Sequence, residues 1–218
     1  MRQRVIGLAA DAAMSDDPCG WFEQIYTEAN GDWNQVPWAD QRANPLFSEW
    51  FDVNFPKPPH LEAKALVIGC GLGDDAVYLE AAGWKVCAFD ISQTAIEWAE
   101  KNHPESNVEW RVANLCDLPS EWFSAFDLVV EIHILQAMAE ELRQEGARVL
   151  ETLVKDGGFL ICIGRLSNPE FEVLGPPWPL AKDWIIAIGK GLELHEFSES
   201  RRQDDEPETL RFRAVWKR

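Results

Sequence analysis

The sequence predicts an α/β fold with a mostly parallel sheet, and three observations carry that prediction. Apolar runs rich in β-branched and aromatic residues recur along the chain, helical patterns fill intervals between them, and the last two runs alternate in period two around a polar, charge-rich stretch. Strands alternating with helices build a parallel sheet, whereas a period-two pair joined directly reads as an antiparallel hairpin.

In chain order, "VIGLAADAAM" is too short for a membrane span and is broken by Asp11, so it reads as a cytosolic N-terminal tail. The runs "AKALVIG", "WKVCAFD", "VEWRVA", "FDLVVEIHIL" and "GGFLICIG" read as strands of the parallel part, and "LELHEF" with "LRFRAVWK" as the hairpin added at its end. Helices are expected from Asp74 to Ala82, from Ser92 to Asn102 with Ser92 as N-cap, and from Ala139 to Lys155, the last closed at "DGG". The stretch "SESRRQDDEPET" reads as a solvated loop.

A length of 218 residues suits one domain, large enough to bury a core without metal or disulfide staples. A formal net charge of -17 repels polyphosphate and anionic membrane surfaces, so neither nucleic acid nor membrane is an expected partner and a small molecule is. Cys19, Cys70, Cys87, Cys116 and Cys162 are scattered, odd in number and form no Cys-x-x-Cys, which argues against a disulfide framework and a metal site and for a reducing, cytoplasmic setting.

The stretch most suggestive of chemistry is "LVIGCGLGDDAVYLEAAG", Leu66 to Gly83. Gly69, Gly71 and Gly73 follow a strand and precede a helix, so the chain turns with no Cβ atoms in the way and a ligand can approach bare backbone. The next strand ends in Asp90, twenty-one residues after Gly69, where open α/β sheets place a carboxylate against the hydroxyls of a ribose. The dinucleotide fingerprint is Gly-x-Gly-x-x-Gly, but here Asp74 stands at its third glycine, and a carboxylate at a helix start disfavours a pyrophosphate. Gly-x-Gly-x-Gly suits a cofactor with an amino-acid tail and no phosphate, S-adenosyl-L-methionine.

At these residues the chain resembles the class I SAM-dependent methyltransferases, from about Leu66 onward. The resemblance implies a Rossmann-like sandwich with a mostly parallel seven-stranded sheet and a C-terminal antiparallel hairpin strand. It further implies that the glycine turn (Gly69, Cys70, Gly71, Gly73) lies beneath the methionine part of SAM, that Asp90 binds the ribose and that Ile91 packs on adenine. "VANLCDLP" is similar to the family's third motif and places Asn114 and Leu115 at the adenine edge, with Asp117 as runner-up. "FDLVVEIHILQAM" is similar to the fourth and places Glu131, Ile132 and His133 near the methyl group. Outside that core, "PWADQRANPLFSEWF" and "GPPWPL" resemble segments of the branch containing thiopurine, thiol and halide methyltransferases, where the first covers SAM and shapes the substrate site. "LQ" and "PWPL" are similar to stretches in a group of bacterial SAM-dependent methyltransferases. The implied organisation is an N-terminal helical lid segment, 1–60, and a methyltransferase domain, 61–218, acting as a monomer or weak dimer. Strand four has Glu131-Ile132 where thiopurine enzymes have Asp-Arg, and the acceptor stays open among S, O and N nucleophiles.

Each candidate residue has two readings. His133 is the candidate base, needed for a phenol or carbon acid but not for a thiolate, or else a polar residue closing strand four. Glu131 contacts the amino group of the methionine moiety or is a partly solvated strand end. Trp38, on the cofactor side, and Trp33 and Trp178, on the substrate side, are lid aromatics able to face a sulfonium, or packing residues. Arg42 faces an anionic group or solvent. Cys70 is a small packing residue rather than a nucleophile. Three functions follow: a small-molecule methyltransferase converting SAM to S-adenosyl-L-homocysteine, a non-catalytic SAM-binding or partner-binding module, and an NAD(P)-dependent oxidoreductase.

Overall fold

The computed structural model describes residues 2–171, 173, 175–202 and 209–218, which fall into two units, Met1–Leu118 and Pro119–Arg218. The first begins with a helix where a tail was expected. In α1 (Arg2–Ala13) Val5, Ala9 and Ala12 are buried, a spacing of three and four that gives one apolar face. That face packs on α2 (Gly20–Ala29), and Arg4 pairs with Glu28 across the contact. Asn30, left-handed at φ 46°, ends α2. In α3 (Pro45–Asn54) the Asn44 side chain accepts from Leu46 N at 3.0 Å and Pro45 occupies the first turn, a well-capped start. Phe51 and Phe55 then pack their rings 6.0 and 5.3 Å from Trp84, which fixes α3 against the start of the second strand.

Three parallel strands follow in the spatial order β3-β2-β1: β1 (Lys64–Ile68), β2 (Lys85–Asp90) and β3 (Glu109–Val112). Leu66 lies opposite Cys87 and Ala88 opposite Trp110. β1 and β2 are buried almost end to end, as strands covered on both faces are, whereas the edge strand β3 is largely exposed. The connecting helices are α4 (Asp74–Ala81) and α5 (Gln93–Asn102), and Ser92 caps α5 through its hydroxyl, which accepts from Ala95 N at 3.0 Å.

The second unit holds β4 (Phe126–Ile132), α6 (Glu140–Leu153), β5 (Val154–Leu166), α7 (Lys182–Ile188), β6 (Glu193–Ser200) and β7 (Leu210–Lys217). β4 and β5 are parallel, β5 and β7 antiparallel, and β6 lies outside β7. Within the units the strands run β3-β2-β1 and β4-β5-β7-β6, seven strands in a mostly parallel arrangement as expected.

Three boundaries differ from expectation. The glycines of "DGG" do not close α6, because α6 ends at Leu153 and β5 begins at Val154 and runs through them. The register of β5 against β4 shifts between Phe126 and Leu128, and a Cβ on Gly158 would stand 3.0 Å from the carbonyl oxygens of both residues 126 and 127. Gly158 thus serves close strand approach at an irregularity, and Gly157, with open space around it, takes a left-handed backbone at φ 79°; neither terminates the helix. Strand four likewise stops at Ile132, since His133 adopts φ 64° and leaves the strand. In the expected solvated loop, Ser198–Ser200 belong to β6, and residues 203–208 lie outside the described residues.

Ser92 also donates to Glu23 of α2 at 2.6 Å, so one hydroxyl both caps α5 and ties it to α2. Burial would raise the Glu23 carboxyl, but hydrogen bonds from Ser92 and Thr94 outweigh it and hold the group below its ordinary value. Ser92→Ala is expected to cost about 1–2 kcal/mol, read as a lower urea midpoint at unchanged slope. An unchanged midpoint would show that the cap contributes nothing.

Candidate functional site

The turn after β1 carries three left-handed glycines, with φ of 59° at Gly69, 54° at Gly71 and 93° at Gly73. Side chains are disfavoured there on backbone grounds alone. At Gly71 a Cβ would also meet the Tyr26 hydroxyl at 3.0 Å, and at Gly73 it would overlap Trp110. Cys70 between them donates its backbone N–H to Phe89 O at 2.8 Å. Burial pushes its thiol well above the ordinary value, consistent with a packing residue and not a thiolate nucleophile.

Asp90, 7% exposed at the end of β2, holds this turn. Its Oδ2 accepts from Gly71 N at 2.9 Å and its Oδ1 from Ser92 N at 2.9 Å. Burial raises its carboxyl, while the N–H donors, from Ser92 first, pull it back. The backbone oxygen of Asp90 accepts from Ala113 N at 3.0 Å, which brings Asn114 and Leu115 beside Asp90 and Ile91. Leu115 is buried, while Asn114 is exposed and uses its Oδ1 to accept from Cys116 N at 2.9 Å. Asp117 pairs with Asn114 in an isolated bridge. The structure thus gathers the glycine turn, Asp90, Ile91, Asn114 and Leu115 at the C-terminal ends of β1 to β3.

Of the expected lid residues, Trp38 is ordered within an aromatic cluster. Its Nε1 donates to the Tyr26 hydroxyl at 2.7 Å, and its ring meets those of Trp21, Phe22 and Tyr26 edge-on at about 6 Å. Trp33 is 40% exposed and lines a cavity of about 300 Å³ with Leu72, Asp74, Trp98, Lys101 and His103. Of the turn itself Leu72 lines that cavity, and none of Gly69, Gly71, Gly73 and Asp90 does. Arg42 is exposed in the loop before α3. Tyr26 and Glu23, three residues apart on one face of α2, were missed, because a single helix pattern does not reveal which partner its polar face meets.

The remaining candidates lie in the second unit. Glu131 is 2% exposed, so it is not a solvated strand end. Its Oε1 accepts from Ile134 N at 2.7 Å and Leu135 N at 3.0 Å, and burial pushes its carboxyl up to about 7. His133 donates its backbone N–H to Ile163 O at 2.9 Å, and its Nδ1 lies 3.1 Å from Gln136 Oε1. Trp178 follows the cis Pro176–Pro177 bond, and Arg143 sits 5.6 Å over its ring. That guanidinium is held by the carbonyls of Leu135 and Met138 at 2.9 and 3.0 Å. Gln136, 1% exposed, was missed as a site residue although "LQ" and "PWPL" each stood out in the sequence; what joins them is spatial.

Among the described residues no helix is long and apolar enough to cross a membrane, and no three His, Cys, Asp or Glu side chains cluster as metal ligands do. The five cysteines form no disulfide among the described residues.

Comparison with known proteins identifies the family and the fold. The thiopurine S-methyltransferase family matches residues 28–216. A thiopurine S-methyltransferase of Vibrio parahaemolyticus is 26% identical over 175 residues, covering 74% of this chain and 79% of that protein. Thiocyanate methyltransferase 1 of Brassica oleracea is 28% identical over 172 residues, covering 74% and 72%. In fold, the chain is similar to the 1,6-didemethyltoxoflavin-N1-methyltransferase of Burkholderia thailandensis, solved with S-adenosylhomocysteine, at a TM-score of 0.69 and 14% identity over 90% and 86% of the two chains. With a match spanning nearly all of its described elements, the chain belongs to the thiopurine S-methyltransferase family and is a SAM-dependent methyltransferase.

Proposed function

We propose that this methyltransferase acts on a small-molecule acceptor through a soft sulfur nucleophile, with O and N nucleophiles as the wider range, and that it works in the cytoplasm as a monomer or weak dimer. The observation that carries the cofactor half is the turn of three left-handed glycines held by Asp90. Bare backbone at Gly69, Gly71 and Gly73 fits a methionine tail, and the Asp90 carboxylate, with about four lone-pair sites, keeps acceptor capacity for ribose hydroxyls beside the backbone N–H groups it already accepts. The names of the relatives, thiopurine and thiocyanate methyltransferases, support sulfur as the acceptor atom. The proposed organisation keeps an N-terminal helical lid segment, 1–60, ahead of a methyltransferase domain, 61–218.

SAM supplies a methyl group already activated on its sulfonium, so the chain's task is to orient the acceptor and exclude water. We assign Gly69, Cys70, Gly71, Gly73, Asp90, Ile91, Asn114, Leu115 and Trp38 to the cofactor and Trp33, Arg42 and Trp178 to the acceptor. His133 takes the proton from acceptors that are not already ionised. A thiolate needs no such transfer. Glu131 is assigned to the cofactor side as a buried brace, because its Oε1 is engaged by two backbone N–H groups of the turn that carries His133.

Incubation with SAM and a panel of thiols, thio-heterocycles, phenols and amines tests the activity. S-adenosyl-L-homocysteine is expected to form fastest with the sulfur compounds, and turnover confined to phenols or amines would overturn the sulfur reading. Asp90→Ala is expected to weaken SAM by about 1.5–3 kcal/mol in calorimetry, the range for a hydrogen bond to a charged group. Unchanged affinity would remove Asp90 from the cofactor site.

Glu131 also sets a pH dependence. Its folded value of about 7 stands above the ordinary 4.5, so between these values the folded chain holds a proton that the unfolded chain has lost. Stability therefore falls as pH rises through that window and levels off above it. Glu131→Gln keeps an acceptor for both N–H groups and is expected to flatten this fall, a difference on the order of 3 kcal/mol between pH 4 and pH 8 in denaturation experiments. The same slope in both proteins would show that Glu131 does not change charge there.

A further inference from the structure

The Gln136 side chain uses every hydrogen-bonding valence of its amide inside the protein. Its Nε2 donates to Arg165 O at 2.6 Å and to Trp178 O at 2.8 Å. Its Oε1 accepts from Arg165 N at 2.6 Å and faces His133 Nδ1 at 3.1 Å. The backbone oxygen of Gln136 also accepts from Trp178 N at 2.8 Å. The fit depends on Gly164, where any Cβ would overlap the Gln136 Oε1.

These partners settle which end of the amide is which. Turning it over would set the amide oxygen against the two carbonyl oxygens and the NH₂ group against the Arg165 N–H, replacing three hydrogen bonds by three repulsions. The oxygen must therefore face His133, and it can only accept. An Nδ1 at 3.1 Å from it is a donor, so the neutral ring carries its proton on Nδ1 and its basic lone pair on Nε2. His133 is held for this contact from the other side too, since its backbone is left-handed and its N–H is bonded to Ile163 O.

We infer that Gln136 is a positioning residue for the acceptor side: it fixes His133 as the Nδ1–H tautomer with Nε2 as the proton acceptor, and through the same amide it anchors the segment that carries Trp178. The inference rests on the reading of His133 as base. In the step it serves, the proton of an acceptor X–H passes to His133 Nε2, the X–CH₃ bond forms as the sulfonium S–CH₃ bond breaks, neutral S-adenosyl-L-homocysteine leaves, and the imidazolium returns its proton to water. Nothing in the sequence pattern of the thiopurine branch quoted above supplies this glutamine, which belongs to the "LQ" stretch.

The test is the ¹⁵N spectrum of histidine-labelled protein, followed to rising pH until the ring signals stop moving, so that the neutral form is the one read. His133→Asn identifies the His133 signals among the four histidines by their loss; Asn tolerates a left-handed backbone and presents an N–H to Gln136. The expected result is a protonated, pyrrole-type Nδ1 and an unprotonated, pyridine-type Nε2 in the wild type. In Gln136→Met this preference is expected to disappear, with kcat for unionised acceptors falling roughly ten- to a hundred-fold while SAM affinity is kept. An Nε2–H tautomer in the wild type, or an Nδ1–H tautomer that persists in Gln136→Met, overturns the inference, and the wild-type spectrum decides alone if that variant does not fold. Turnover of unionised acceptors by His133→Asn at the wild-type rate overturns the base reading beneath it, a failure told apart because the wild-type tautomer would still be Nδ1–H.

Discussion

The carboxylate of Asp90 is the point on which the first unit of the molecule hangs. It accepts the N–H of Gly71 from the turn after β1 and the N–H of Ser92 from the turn after β2, so the two turns that crown adjacent parallel strands are set against each other by one side chain. Everything nearby inherits that setting. Ser92 caps α5 and reaches Glu23, Glu23 takes the Thr94 N–H as well, and three residues further along α2 Tyr26 brings its hydroxyl to Gly71 and to the Trp38 indole. The position of Trp38 thus follows from the strand ends through helix α2, and not from the loop that carries it.

The same logic explains what was legible beforehand and what was not. Features decided by short-range chemistry were visible: the strand runs, the Ser92 cap and the glycine turn with its acidic partner twenty-one residues on each depend on residue types at fixed offsets. Features decided by a distant partner were not. Gly157 and Gly158 look like a helix stop until the carbonyls of residues 126 and 127 are placed beside Gly158, and the pair then marks a strand irregularity. Val5, Ala9 and Ala12 make a weak stripe that becomes a helix face only because α2 offers a surface. Gln136 could not be ranked above any other glutamine, since its partners lie 3, 29 and 42 residues away.

The two units use polar groups in different ways. At the glycine turn the protein presents backbone and a carboxylate that keeps acceptor capacity, an arrangement ready for hydroxyl donors. Beyond β4 the polar groups are turned inward: Glu131 and Gln136 are nearly inaccessible and satisfy backbone groups of their own surroundings. A fully bonded buried network specifies one arrangement closely, because any departure leaves a desolvated group unpaired. That rigidity suits a site that must aim a nucleophile in line at a methyl group, where geometry rather than strong acid or base supplies the rate.

The placement of β7 has a consequence for how the chain is made. β7 lies between β5 and β6, so the strand synthesised earlier, β6, has no route into the sheet until Leu210 to Lys217 exist. During translation the apolar edge of β5, with Leu160, Ile161 and Ile163, waits unpaired while more than forty residues emerge. An exposed strand edge of this kind is where nascent chains meet one another. The same order makes β7 costlier to clip than β6, although β6 comes first in the chain: losing β7 would strip β6 of its partner and bare β5 together, whereas loss of the edge strand β6 would cost only its own pairing.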